Sequence, residues 1–88
     1  MPRVVVYHAD GCHLCERALA VVRAVCGDGF ETVDVGGDAA LEARYREWLP
    51  VVEVDGERAF VYFVDEAALR RRLARVSGSQ SHPNEGTL

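Results

Sequence analysis

The 88-residue chain is predicted to be an α/β domain of order β-α-β-α-β-β-α, one four-stranded sheet with helices able to cover both faces. Three observations carry this expectation. Short β-branched runs, Val4 to Tyr7 and Val51 to Val54, alternate with segments whose apolar residues recur at helical spacing. Turn residues separate the segments at Asp10-Gly11, Gly27-Asp28-Gly29 and Gly36-Gly37. Two β-rich runs are joined by Asp55-Gly56 alone, the signature of a tight hairpin with positive φ in its turn.

The first strand spans Arg3 to His8. Its Val4-Val5-Val6-Tyr7 core has no polar alternation, which suits a central strand covered on both faces. Asp10 and Gly11 then turn the chain, and Asp10 is a candidate cap for the next helix. From there Cys15, Ala18, Leu19, Val22, Val25 and Cys26 follow the i, i+3, i+4, i+7 rule, while Arg17 and Arg23 fall away from that face. Gly27-Asp28-Gly29 supplies the left-handed stop expected after a helix. Phe30 to Val35 alternates Phe30, Thr32 and Asp34 against Glu31, Val33 and Val35, the pattern of an edge strand.

Asp38 is a candidate N-cap for a second helix, with Leu41, Tyr45 and Trp48 on one face. Its exposed Glu42 and Arg46 make an i, i+4 pair worth only about 0.2–0.5 kcal/mol, so the apolar face must hold the helix. Leu49-Pro50 ends it, because proline disfavours a helical residue before itself. Val51 to Val54 and Arg58 to Phe63 are the two hairpin strands. Asp65 caps a third helix whose buried stripe is Leu69, Leu73 and Val76, with Glu66 at its positive end and Arg70, Arg71, Arg72 and Arg75 towards its negative end. Residues 77–88 hold almost nothing apolar and are expected to be a disordered tail beyond a domain of residues 1–76.

Composition excludes several classes. Apolar residues make up 49% of the chain and charged ones 27%, as in globular proteins. The net charge is −4 and every one of the ten cations is arginine, so nucleic acid is not expected as a partner. No apolar run approaches the roughly 20 residues of a bilayer span, and Met1-Pro2-Arg3 leads directly into a strand without a signal-like apolar core. Three cysteines are too few for a secreted disulfide framework. A cytoplasmic, monomeric protein that does not meet the membrane is therefore the expectation.

Chemistry concentrates at Cys12-His13-Leu14-Cys15, where strand gives way to helix. Two residues three apart on a helix share a face, which brings the two sulfurs within bridging reach. Cys12 would sit at the helix N-terminus, where unpaired N–H groups and the dipole favour a thiolate, and a protonated His13 beside it would add to that. Cys12 is thus the candidate nucleophile and Cys15, on the stripe facing the sheet, the resolving thiol. Zinc or a cluster held by Cys12, Cys15 and His8 or His13 is the rival, although no second Cys-x-x-Cys or histidine pair completes such a site. Cys26 is expected to pack as a small hydrophobe. Tyr7, at the end of the first strand near the cysteines, is expected either to shield them from water or to pack in the core, and both readings explain it equally well.

The Gly11-Cys12-His13-Leu14-Cys15-Glu16-Arg17-Ala18 stretch, together with Leu49-Pro50-Val51-Val52-Glu53-Val54-Asp55-Gly56, resembles the small bacterial glutaredoxin-like proteins of the thioredoxin-fold superfamily. The resemblance implies a mixed sheet of order β2-β1-β3-β4, a cis Pro50 facing the cysteines, and backbone at Val51 able to pair with an extended peptide or glutathione. Its activity would be dithiol-disulfide exchange on a disulfide-containing protein or a glutathione-type thiol. No bound cofactor is implied; glutathione or a thioredoxin system would be the reductant. His13, Leu14, Pro50, Val51 and Asp65 would contact substrate, Asp65 by receiving an amino group. Two departures weaken glutathione as the reductant. Ala9 stands where glutaredoxins commonly place a basic residue, and Phe63-Val64-Asp65-Glu66 replaces a Gly-Gly ahead of acidic residues. A non-catalytic module that binds a partner in the groove beside Pro50 is the other expectation kept open.

Overall fold

β1 (Val4–His8) runs through the middle of the sheet, as its unbroken apolar sequence predicts: Val4, Val5 and Val6 are all buried. In the computed structural model, which describes residues 2–81, β2 (Glu31–Asp34) lies parallel to β1 on one side. β3 (Val51–Val54) lies antiparallel on the other side and β4 (Glu57–Val61) outside it, giving the order β2-β1-β3-β4 that the resemblance implies.

Successive strand side chains point to opposite faces, so β3 serves two cores at once. Val52 and Val54 join Val4, Val6, Val22 of α1 (His13–Cys26) and Leu69 of α3 (Glu66–Ser81) on one face. Val51 packs with Val35 and with Tyr45 of α2 (Ala39–Tyr45) on the other, where Tyr7, Leu41, Leu49 and Val61 are partly buried around them. That two-sided burial is why β1 and β3 are almost continuous valine.

Local signals place the element ends. Asp38 Oδ1 accepts the N–H groups of Ala40 and Leu41, each at 3.1 Å, and so caps α2. Asp65 Oδ2 accepts from Ala68 N–H at 2.8 Å and does the same for α3. In the hairpin both turn residues are left-handed, Asp55 at φ 52 and Gly56 at φ 83, the backbone that a two-residue turn needs to match strand twist.

Four details depart from expectation. The second helix tightens after Tyr45 into a 3-10 turn, Arg46–Trp48. Tyr45 is buried but Trp48 is 42% exposed, because it lies beyond α2 over the edge strand, stacked at 6.3 Å on Tyr62 with the Arg58 guanidinium 5.7 Å away. The i, i+4 ion pair found among the described residues is Glu66–Arg70 at 2.9 Å and not Glu42–Arg46, whose arginine sits at the junction where the helix tightens. β4 stops at Val61, short of the expected Phe63, because Tyr62 turns left-handed at φ 67. Finally, α3 continues to Ser81 into the segment expected to be a tail; residues 82–88, and the side chain of Val76 expected on the buried stripe, lie outside what is described.

Candidate redox site

Gly11, at φ 75, turns the chain from β1 into α1 and leaves Cys12 as the N-cap residue, extended at φ −100 and ψ 107. The cap is therefore the sulfur of Cys12 and not Asp10: Cys12 Sγ accepts the Cys15 N–H at 3.1 Å. Cys15 begins the inward stripe and is 1% exposed, whereas Cys12 is half-buried. Their Cα atoms are 5.1 Å apart, inside the range a disulfide spans, and the two sulfurs are bonded. One cysteine is thus half-buried at a helix N-terminus while its partner is enclosed in the core. A backbone N–H and the positive end of a helix dipole directed at a sulfur are the setting that stabilises a thiolate.

Along the helix that carries this pair opens a cleft of about 230 Å³ lined by Leu14, Arg17, Ala18, Val21, Tyr62, Phe63 and Val64. Its far wall depends on Tyr62. The Phe63 N–H donates to Val61 O at 2.7 Å, closing a three-residue turn around the left-handed Tyr62. Such a backbone costs on the order of 1–3 kcal/mol for a bulky residue and persists only when its surroundings hold it. Tyr62 is held at both ends, its N–H donating to Pro50 O at 3.0 Å and its hydroxyl to Glu47 O at 2.8 Å. The turn swings Phe63 outward, leaving it 67% exposed at the lip of the cleft.

The other expected residues are distributed as follows. His13 is exposed in the first turn of α1, next to Cys12, and Leu14 is half-buried on the cleft wall. Pro50 is buried and its bond to Leu49 is cis. Val51 is fully buried, in register with Tyr7 on one side and Val61 on the other, so the extended backbone left at the open end of β3 is that of Leu49, at φ −66 and ψ 142. The Asp65 carboxylate is engaged in capping α3.

Tyr7 does not cover the cysteines. It lies under α2, stacked 4.3 Å from Tyr45, and both hydroxyls donate to Glu53, at 3.3 and 3.4 Å. Burial, aided by Tyr45 and Glu53, pushes the Tyr7 phenol up to about 12. Cys26 packs partly buried against the α1–α3 core, and burial pushes its thiol up, opposed by Arg70. Among the described residues no three His, Cys, Asp or Glu side chains come together to hold a metal ion.

Sequence reasoning placed Arg17 off the buried face and Phe63 where glutaredoxins have glycine, without bringing the two together in a cleft, and it did not single out Tyr62. The signal that could have found the cleft is the spacing of Leu14, Ala18 and Val21 at i, i+4, i+7, a second apolar ridge on α1 that was not read. Nothing in the string of residues announces that Tyr62 is left-handed.

Sheet order, helices on both faces and a Cys-x-x-Cys disulfide at the start of α1 together define a thioredoxin-fold protein with a Cys-x-x-Cys pair. The chain belongs to the glutaredoxin-like family: residues 3–74 match the domain described as Glutaredoxin-like domain (DUF836). It is 34% identical over 82 residues, 84% of each chain, to the uncharacterized protein Rv0508 of Mycobacterium tuberculosis. The X-ray structure of protein XcR50 from X. campestris superposes with a TM-score of 0.71 at 30% identity, covering 82% of this chain and 96% of that one. A mutant thioredoxin from Halobacterium salinarum superposes with a TM-score of 0.60 at 24% identity, over 84% of this chain and 73% of its own, a likeness of fold.

Proposed function

We propose that the protein is a dithiol-disulfide oxidoreductase cycling through Cys12 and Cys15. The observation that carries this reading is the asymmetry of the pair: a half-buried Cys12 sulfur capping α1, bonded to a Cys15 that is 1% exposed. In the reduced protein the Cys12 thiolate attacks one sulfur of a substrate disulfide; that S–S bond breaks, and the departing thiolate takes a proton from solvent. Cys15, as thiolate, then attacks Cys12 Sγ, releasing the second substrate thiol and leaving Cys12–Cys15 oxidised. Two electrons pass from dithiol to substrate, and an external thiol donor, glutathione or a thioredoxin system, restores the pair. Leu49 presents extended backbone to an approaching peptide, while His13 and Leu14 border the reacting sulfur. Asp65 has one carboxylate oxygen on the Ala68 N–H and receives a substrate amino group through the other.

A small test disulfide such as 2-hydroxyethyl disulfide, supplied with glutathione and its reductase or with thioredoxin reductase, measures this directly. Turnover above the uncatalysed exchange is expected with at least one donor. Background rates with both would contradict the reading.

A further inference from the structure

We propose that the cleft beside the disulfide selects the substrate: it takes an apolar side chain followed by a carboxylate, both belonging to the peptide whose cystine is exchanged. This rests on the exchange chemistry above and adds which disulfides are preferred. Position comes first. Leu14 lies between the two cysteines in sequence and Val21 is seven residues further along α1, so the cleft begins in the helical turn that carries the disulfide and extends about 10 Å along that helix. An extended peptide advances about 3.3 Å per residue. A substrate joined to Cys12 through its cysteine therefore lays up to three neighbouring residues along the cleft.

Size and lining follow. At about 230 Å³ the space is smaller than the roughly 300–1,000 Å³ of pockets that enclose a whole small molecule, and it suits one or two side chains. Leu14, Ala18, Val21, Phe63 and Val64 make it apolar, and the 67% exposed Phe63 ring gains cover only when something apolar fills the space beside it. Charge decides the rest. Arg17 is the one charged lining residue, and among the described residues it makes no ion pair, unlike Arg3, Arg23, Arg70 and Arg72. Its fork of N–H donors matches a carboxylate.

The test compares peptide disulfides in which Leu-Asp or Ser-Lys flanks the cysteine, with glutathione disulfide as a third substrate and 2-hydroxyethyl disulfide as a fourth. The readout is the ratio of kcat/KM between peptides on one enzyme, from which any change in the cysteines' own reactivity cancels. The Leu-Asp peptide is expected to lead by about tenfold or more. Arg17→Glu should collapse or invert that ratio and Phe63→Ser should shrink it. Arg44→Glu, the same charge change on α2 across the sheet, should leave it in place. A ratio near one in the native protein, a ratio untouched by Arg17→Glu and Phe63→Ser, or glutathione disulfide matching the Leu-Asp peptide would overturn the proposal. If 2-hydroxyethyl disulfide is reduced while the peptides are not told apart, the cleft proposal falls alone; if no disulfide is reduced, the exchange reading falls and takes the cleft with it.

Discussion

Serine in place of Cys12 is expected to reduce disulfide exchange to the uncatalysed rate, and serine in place of Cys15 to leave a protein that reacts once and stops. The difference follows from where the two sulfurs sit. Only the thiolate attacks a disulfide, and a serine hydroxyl at the N-cap of α1 would keep the cap while supplying no nucleophile. Cys12→Ser therefore separates chemistry from folding, because serine is itself a favoured capping residue. Cys15 is 1% exposed and meets substrate only through Cys12. Without it the mixed disulfide has no internal thiol to resolve it, so intact-protein mass spectrometry of Cys15→Ser should show one substrate half added per chain, on Cys12. If Cys12→Ser still turned over a test disulfide, or if Cys15→Ser carried its adduct on Cys26, the assignment of roles would be wrong.

Leu69→Ala is expected to lower folding stability by about 2–5 kcal/mol. Leu69 is wholly buried and sits where α3 meets the sheet, among Val4, Val6, Val22, Val52 and Val54. Those neighbours belong to β1, β3 and α1, which cannot close together over the space a leucine leaves. Domains are typically stable by about 5–15 kcal/mol, and one of 88 residues buries a smaller share of its surface than larger domains do. The loss is thus a large part of the total. Urea unfolding of the oxidised protein measures it, and a change below about 1 kcal/mol would mean that the two faces are not packed as described. The exposed pairs Arg70–Glu66 and Arg72–Glu57 offer no comparable reserve, since surface ion pairs contribute about 0–1 kcal/mol each.

The parts of this structure that were legible in the sequence are those with local causes. An uninterrupted Val4-Val5-Val6 announces a strand covered on both sides. Asp55-Gly56 announces a left-handed two-residue turn, and Asp38 announces a helix start, because each residue type acts within a few positions of itself. Sheet order is different. The repeat of apolar residues says which face is buried and nothing about which strand is adjacent, and here the resemblance carried by the cysteine and proline motifs provided the order. At the site the same division holds. The Cys12–Cys15 spacing was readable, as was the inward stripe that buries Cys15.

What escaped the sequence depends on contacts between distant segments. Glu53 is tolerated half-buried in β3 because hydroxyls arrive from β1 and α2. Alternation along β1 puts Tyr7 on the α2 face of the sheet, opposite Val6. Trp48 leaves the core because Arg58 of β4 and Tyr62 in the turn after it lie beyond the end of α2. Tyr62 adopts a backbone its residue type disfavours because Pro50 O and Glu47 O hold it there, and the turn it makes places Phe63 in the cleft along α1.

The most direct test of a redox role is the midpoint potential of Cys12–Cys15, read by equilibrating the protein in glutathione buffers of graded potential and trapping free thiols. A value between about −270 and −120 mV, the span of dithiols that exchange catalytically, is the expected result. A pair that stays oxidised below about −300 mV, as structural disulfides do, or one that never oxidises in these buffers, would contradict it.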